Sequence, residues 1–226
     1  MKKVDTSETG IPWWPAGSSG RGTLSRELIA RAAADILESG GRSALTIRAV
    51  AESVGAGTMS LYWYIDGKDD LVDLAVDEIM SAVEVPKRGD WRNRVRRLAL
   101  SFRAVIVDHP AVVPLLAEGV TAGPNLLRIN EALLDALVDA GLSGADASSA
   151  ATAVGAIVMN VTVSADDQRE RWSKGKDMGD LSPQQFPRTV ALANSLVGAD
   201  ANKQFLYGLD VVLDGIALRT GHGRTG

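Results

Sequence analysis

Residues 46–64 have the sequence TIRAVAESVGAGTMSLYWY, in which two short segments of helical character flank Gly55 and Gly57. Two short helices joined by a tight glycine turn have the geometry of a helix-turn-helix, whose second helix enters the major groove of DNA. The apolar positions that can hold the two helices together are Val50, Ala51, Val54, Leu61 and Ile65. The spacing predicts helices at about 47–54 and 58–65.

Hydrogen-bonding side chains stand between these apolar positions in the second segment, at Thr58, Ser60, Tyr62 and Tyr64. A recognition helix needs this mixture, because one strip must pack inward while the other reaches bases and phosphates. Short amphipathic helix pairs also occur in many helical proteins. The pattern alone therefore leaves a purely structural helix pair open.

Helical periodicity continues on both sides of this segment. An apolar stripe from Ile29 to Ile36 ends at Gly40-Gly41, and a fourth helix follows Asp66-Gly67. Ser182-Pro183 resembles a helix start, and 164–181 resembles a loop that contains Asp166, Asp167, Arg169, Glu170, Lys174 and Gly175. Further helices are predicted from Trp91 to Pro110 and at about 110–117, 124–140, 144–163, 183–197 and 200–219. No strand pattern competes, so the sequence predicts an all-α fold.

The composition narrows the class of protein. The chain has 226 residues, of which 46% are hydrophobic and 23% are charged, and it contains no cysteine and only two histidines. This predicts no disulfide, metal site or cofactor, and the sequence shows no phosphate-binding glycine motif of an enzyme. No long apolar run or secretory signal is visible, so we expect no membrane partner and a cytoplasmic location.

The net charge of −4 disfavours nucleic-acid binding. Many acids fall on the fourth helix, whereas residues 44–65 contain only Arg48 and Glu52 as charged residues. We therefore expect few ion pairs with phosphate and a shallow salt dependence of DNA binding.

The segment Leu45–Ala51, Gly55, the run Leu61–Ile65 and Lys68 with Leu71 resemble the TetR family of bacterial regulators, especially the tetracycline-repressor branch. The resemblance is strong over about residues 24–80 and weaker beyond. It implies a three-helix DNA-binding head joined to a larger helical domain that dimerises and binds a small molecule. The implied ranges are 1–22 for a flexible arm, 23–85 for the head with its connecting helix, and 90–221 for the effector-binding and dimerisation domain.

The resemblance also implies roles for individual residues. Thr46 would contact phosphate, Arg48 a base edge or phosphate, and Lys68 the DNA backbone near the fourth helix. Thr58 and Ser60 would face bases, whereas Tyr62, Trp63 and Tyr64 would contact phosphates or a thymine methyl. Structural alternatives stay open: an N-cap for Thr46, a solvated charge for Arg48, and packing for the three aromatic residues. Gly57, Thr58 and Met59 depart from the branch, so its operator is not assumed.

The second domain is expected to hold a hydrophobic or amphipathic effector that weakens DNA binding. Candidate lining residues are Phe102, Ile106, His109, Leu116, Leu127, Asn130, Leu134, Met159, Asn160 and Trp172. His109, which precedes Pro110, could instead cap a helix end. Small residues such as Ala150 and Gly155, with the last helix, would form a four-helix homodimer interface.

Two further alternatives stay open. Trp13 and Trp14 lie in a Gly/Pro/Ser-rich arm and either pack on the body or, with Lys2, Lys3 and Arg21, help the arm reach DNA. The chain could also be a helical small-molecule-binding or scaffold protein without DNA recognition.

Overall fold

The computed structural model describes Ile11, Trp14 and residues 24–120, 122–173, 181–197 and 200–221, with the backbone alone for 160–173 and 193–197. All regular elements within these ranges are helices, so the predicted all-α fold is confirmed. The helices are α1 Arg26–Ala44, α2 Ile47–Ser53, α3 Thr58–Leu61, α4 Lys68–Met80, α5 Trp91–Asp108, α6 Val112–Glu118, α7 Pro124–Asp139, α8 Gly144–Ser173, α9 Pro187–Val197 and α10 Ala201–Arg219.

The chain divides into two compact units. The head unit comprises residues up to 86 together with 104–132, and the C-terminal unit comprises 87–103 together with residues from 133 onward. Helices α5 and α7 thus contribute residues to both units. Residues 104–132 belong with the head unit, although they lie within the range 90–221 that the resemblance implies for the effector-binding and dimerisation domain.

In the head unit, α1 packs along α4. Ile29 and Ala33 of α1 are fully buried, as predicted for its apolar face. At the end of that stripe Ile36 is half-buried, and Leu37 is fully buried instead. Gly41 interrupts α1 with a φ of 68°, a left-handed conformation that only glycine adopts at low cost. The glycine break is therefore where the sequence predicted it, although a last turn continues to Ala44.

Two expectations about the later part of the chain were wrong. α8 continues to Ser173, so Asp166, Asp167, Arg169 and Glu170 lie in a helix rather than in the predicted loop. Lys174 and Gly175 lie outside the described residues. Helix α9 begins at Pro187 instead of near Pro183. The Phe186 N–H closes one turn on the Ser182 carbonyl, but Pro187 has no N–H with which to continue that turn. Local periodicity indicated helices at about 144–163 and 183–197, but it did not fix where the first ends and the second begins.

In the C-terminal unit, α8 packs against α10, whose residues Phe205, Leu209 and Leu213 are fully buried. Arginines of α5 add ion pairs to this core. Arg92 pairs with Asp214 at 2.6 Å, and Arg94 pairs with Asp135 at 2.8 Å. Asp90 caps α5, since its Oδ1 accepts the Asn93 N–H at 2.9 Å, and this bond lowers the pKa of Asp90.

No single helix within the described residues is long and apolar enough to cross a membrane. Only α5 and α6 taken together have a sufficient length and apolar composition, and a sharp bend separates these two helices.

Candidate nucleic-acid interface

The α2–turn–α3 segment is anchored by four of the five apolar residues that the sequence predicted to hold it together, while the fifth, Val54, is half-buried. Val50 and Leu61 are fully buried, and Ala51 and Ile65 are 1% and 2% exposed. Gly55, with a φ of 66°, makes the turn between the two helices. α3 itself ends at Leu61, but backbone bonds from Tyr64 and Ile65 to the Leu61 carbonyl continue its course as a turn. The anchor strip therefore faces the core, and the remaining faces point to solvent.

The start of α2 carries Thr46 and Arg48. The Thr46 Oγ1 accepts the Ala49 N–H at 3.1 Å, so this residue is an N-cap, and its hydroxyl proton can still be donated to another group. The Arg48 Nε donates to Glu52 Oε1 at 2.8 Å, and this hydrogen bond raises the pKa of Arg48. The side chains of Arg48 and Glu52 are both exposed. An exposed ion pair one helical turn apart contributes little to stability, so Arg48 can readily exchange Glu52 for another partner.

α3 presents its side chains in two directions. Thr58, Met59 and Ser60 are exposed, whereas Leu61 is buried. A rotation of about 100° per residue places Met59 about 160° from Leu61, which is nearly the opposite side of the helix. The exposure of Met59 agrees with this geometry, since 75% of the residue is accessible to solvent. Trp63 is also 75% exposed and Tyr62 is 48% exposed, so the surface beyond α3 contains large aromatic side chains.

Tyr64 differs from its aromatic neighbours. Its hydroxyl donates to the Leu24 carbonyl at 2.9 Å, and its own carbonyl accepts a hydrogen bond from Arg26 at 2.6 Å. A phosphate oxygen only accepts hydrogen bonds, so the Tyr64 hydroxyl proton is not available to it in this geometry. These bonds favour a structural role for Tyr64, in which it holds the turn after α3 against the start of α1.

Arg26 and Trp14 complete this structural corner. The Arg26 guanidinium lies 5.1 Å from the centroid of the Trp14 ring, and burial lowers the pKa of Arg26. Trp14 is only 6% exposed, so it packs on the body as one of the two alternatives predicted. Trp13, Lys2, Lys3 and Arg21 lie outside the described residues. Periodicity gave no signal for Arg26, because a charged residue in a first turn is usually solvated.

Lys68 begins α4, and its Nζ donates to the Arg42 carbonyl at 3.0 Å. This bond satisfies one carbonyl of the last turn of α1 and leaves two ammonium protons for another acceptor. The Lys68 side chain is exposed, on the same head unit as Thr46.

The proposed effector residues differ in burial. Ile106 is 1% exposed and Asn130 is exposed, while the others with described side chains are half-buried: Phe102, His109, Leu116, Leu127, Leu134 and Met159. The side chains of Asn160 and Trp172 lie outside the described residues. His109 Nδ1 lies 2.5 Å from Glu38 Oε1, so its imidazole contacts α1 within the head unit, to which His109 itself belongs. The effector pocket stays a prediction.

Both the N-terminal and the C-terminal part of the chain are similar to known protein families. Residues 29–75 match the family model described as bacterial regulatory proteins of the tetR family, and residues 85–220 match the tetracyclin repressor-like C-terminal domain. An HTH-type transcriptional regulator of Saccharopolyspora erythraea is 31% identical over 91% of this chain and 85% of its own length. The class C tetracycline repressor of Escherichia coli is 30% identical over 85% of this chain and 90% of its own length.

A solved structure gives the same result. The crystal structure of the Streptomyces coelicolor TetR family protein ActR in complex with actinorhodin superposes with a TM-score of 0.73 at 25% identity. It covers 85% of this chain and 95% of its own chain.

Proposed function

Because the chain belongs to the TetR family of bacterial regulatory proteins, we propose that it represses transcription by binding a palindromic operator as a homodimer, and that a small hydrophobic or amphipathic effector releases it. It is a transcriptional regulator rather than an enzyme. We assign residues 23–85 to DNA binding and 90–221 to effector binding and dimerisation, and we place the protein in the cytoplasm. The proposal depends on one observation: α3 is anchored in the core by Leu61, and its opposite side is exposed to solvent.

The proposed DNA contacts follow from exposure and hydrogen-bonding capacity. Thr46, Tyr62 and Lys68 each carry a proton that can be donated to a phosphate, and the side chain of each is exposed. Arg48 can exchange Glu52 for a phosphate or base edge, since its ion pair lies in solvent. The contacts proposed for α3 and the turn after it are Thr58, Ser60 and Trp63. Tyr64 instead positions this turn through its bonds with Leu24 and Arg26.

Exposed apolar residues of the C-terminal unit support the homodimer. Tyr207, Val211 and Leu218 of α10 are 75%, 54% and 69% exposed and are spaced so that they share one helix face. The exposed residues of α8 include the small residues Thr152 and Ala156. Small residues let a second pair of helices approach closely, and a two-fold axis would bring two recognition helices to successive major grooves.

Contacts inside the head unit support coupling between an effector and DNA. Glu38 of α1 pairs with His109, and Arg42, also of α1, pairs with Glu118 of α6. A ligand that shifts residues 104–132 would therefore move α1, and through it the α2–α3 pair. By linkage, an effector that prefers the shifted arrangement must weaken operator binding by the same factor. The complex of ActR with actinorhodin supports a small organic molecule as effector.

Selection of bound sequences from a random duplex library tests the proposal. We expect an enriched palindrome with half-sites about one DNA turn apart, bound by a dimer and released by members of a compound pool. Promoter DNA next to the gene serves as a second probe in a gel shift. Absence of any enriched sequence would contradict the proposal and leave a helical small-molecule-binding protein without DNA recognition.

A further inference from the structure

The outermost side chain of α3 is apolar. Met59 is 75% exposed on the side opposite the buried Leu61, and it is flanked by the hydroxyl residues Thr58 and Ser60. A large apolar side chain at the most protruding position of a recognition helix is unfavourably hydrated in solution, and it leaves water only when a partner covers it. Within the proposed function, that partner is the floor of the major groove.

The charges around α3 limit what it can read. Residues 54–67 contain neither Lys nor Arg, so α3 has no guanidinium or ammonium group for the acceptors of guanine. The cations that flank this stretch are Lys68 of α4, whose Nζ donates to the Arg42 carbonyl, and Arg48 of α2, which is paired with Glu52. Thr58 and Ser60 can donate to or accept from several bases and therefore discriminate weakly.

Among the four bases, only thymine presents an apolar group in the major groove, the C5 methyl. We propose that Met59 reads the methyl group of one thymine in each operator half-site, and that this apolar contact sets the base preference at that position. The inference rests on the proposed function and names the base that the recognition helix selects. Sequence reasoning missed Met59 because it treated this residue only as a departure from the family pattern.

The test replaces thymine by uracil, which keeps every hydrogen-bonding group and removes only the methyl. Duplexes carrying the selected operator, with uracil at one symmetric position at a time, are titrated with the full-length protein by fluorescence anisotropy. Burial of one methyl group corresponds to about fourfold in affinity, so both half-sites together give about fifteenfold. We expect one position to show this loss with the unmodified protein.

Variants at Met59 assign that loss to its side chain. Met59→Ala is expected to bind the thymine and uracil duplexes equally, whereas Met59→Leu, which keeps an apolar side chain of similar size, is expected to retain most of the difference. Circular dichroism of each variant verifies folding, which the exposed position should leave unchanged.

The possible failures are distinguishable. If the protein enriches no DNA sequence, the proposed function fails and this inference falls with it. If an operator is bound but every thymine tolerates uracil within twofold, the methyl contact is wrong while the regulator function stands. If Met59→Ala keeps the full difference at the sensitive position, another residue reads that methyl and the assignment to Met59 is overturned.

Discussion

Asp77 of α4 caps α7 from a distant part of the sequence, and its replacement by alanine gives the sharpest stability prediction. Its side chain is buried, with 4% of the residue exposed. One carboxylate oxygen accepts the backbone N–H groups of Asn125 at 3.1 Å and Leu126 at 3.0 Å. The other accepts the Asn125 side-chain amide at 3.1 Å. The carboxylate therefore does for the start of α7 what an N-cap residue does within one helix.

The magnitude follows from three overlapping losses. Removing an N-cap side chain costs about 1 kcal/mol, and losing a negative charge at a partly buried helix N-terminus costs about 0.5–1 kcal/mol. Buried amides left without an acceptor cost about 1–3 kcal/mol. Because the same hydrogen bonds enter more than one of these losses, we expect Asp77→Ala to destabilise the protein by about 3 kcal/mol. For a chain of this size, that lowers Tm by roughly 6–12 °C.

Thermal unfolding of the purified full-length protein, followed by circular dichroism at neutral pH, measures this shift. Asp77→Asn keeps one acceptor oxygen and should lose about half as much. Asp35→Ala removes an exposed carboxylate from α1 and serves as the matched control, with a Tm within about 2 °C of the unmodified protein. A Tm for Asp77→Ala as close to wild type as that of the control would refute the capping role.

Four other outcomes are expected. Gly123→Ala should lower Tm by several degrees in the same assay, since its Cβ would lie 2.5 Å from the Asp77 Cγ; an unchanged Tm would show that the packing relaxes freely. Tyr64→Phe removes the bond to the Leu24 carbonyl and should cost about 1 kcal/mol in urea unfolding while operator affinity stays within twofold. A large affinity loss at unchanged stability would instead assign Tyr64 to phosphate. Val211→Asp buries a charge in the proposed interface and should yield monomers in analytical ultracentrifugation, whereas an intact dimer would place the interface elsewhere. Operator affinity should fall with salt at a log–log slope clearly shallower than about −10, and a slope near −10 would contradict the small number of phosphate ion pairs.

The sequence by itself determined the local features of the head. Helical spacing identified Val50 and Leu61 as inward positions, and both are fully buried. Gly41 and Gly55 marked chain breaks because a positive φ is cheap only for glycine, and both have one. Thr46 was also identified as a possible cap, since a hydroxyl before a helical stripe satisfies a first-turn N–H. These properties depend only on neighbours within a few residues of the chain.

The tertiary structure decided which partner each polar group meets. Asp77 is one of the many acids that fall on the fourth helix, yet it is buried against the start of α7, 48 residues away. Tyr64 resembled a phosphate contact, yet its hydroxyl proton is donated to Leu24, 40 residues upstream. Periodicity specifies which face of a helix is apolar, but a hydrogen-bonding partner distant in sequence is fixed only when packing brings the two groups within about 3 Å.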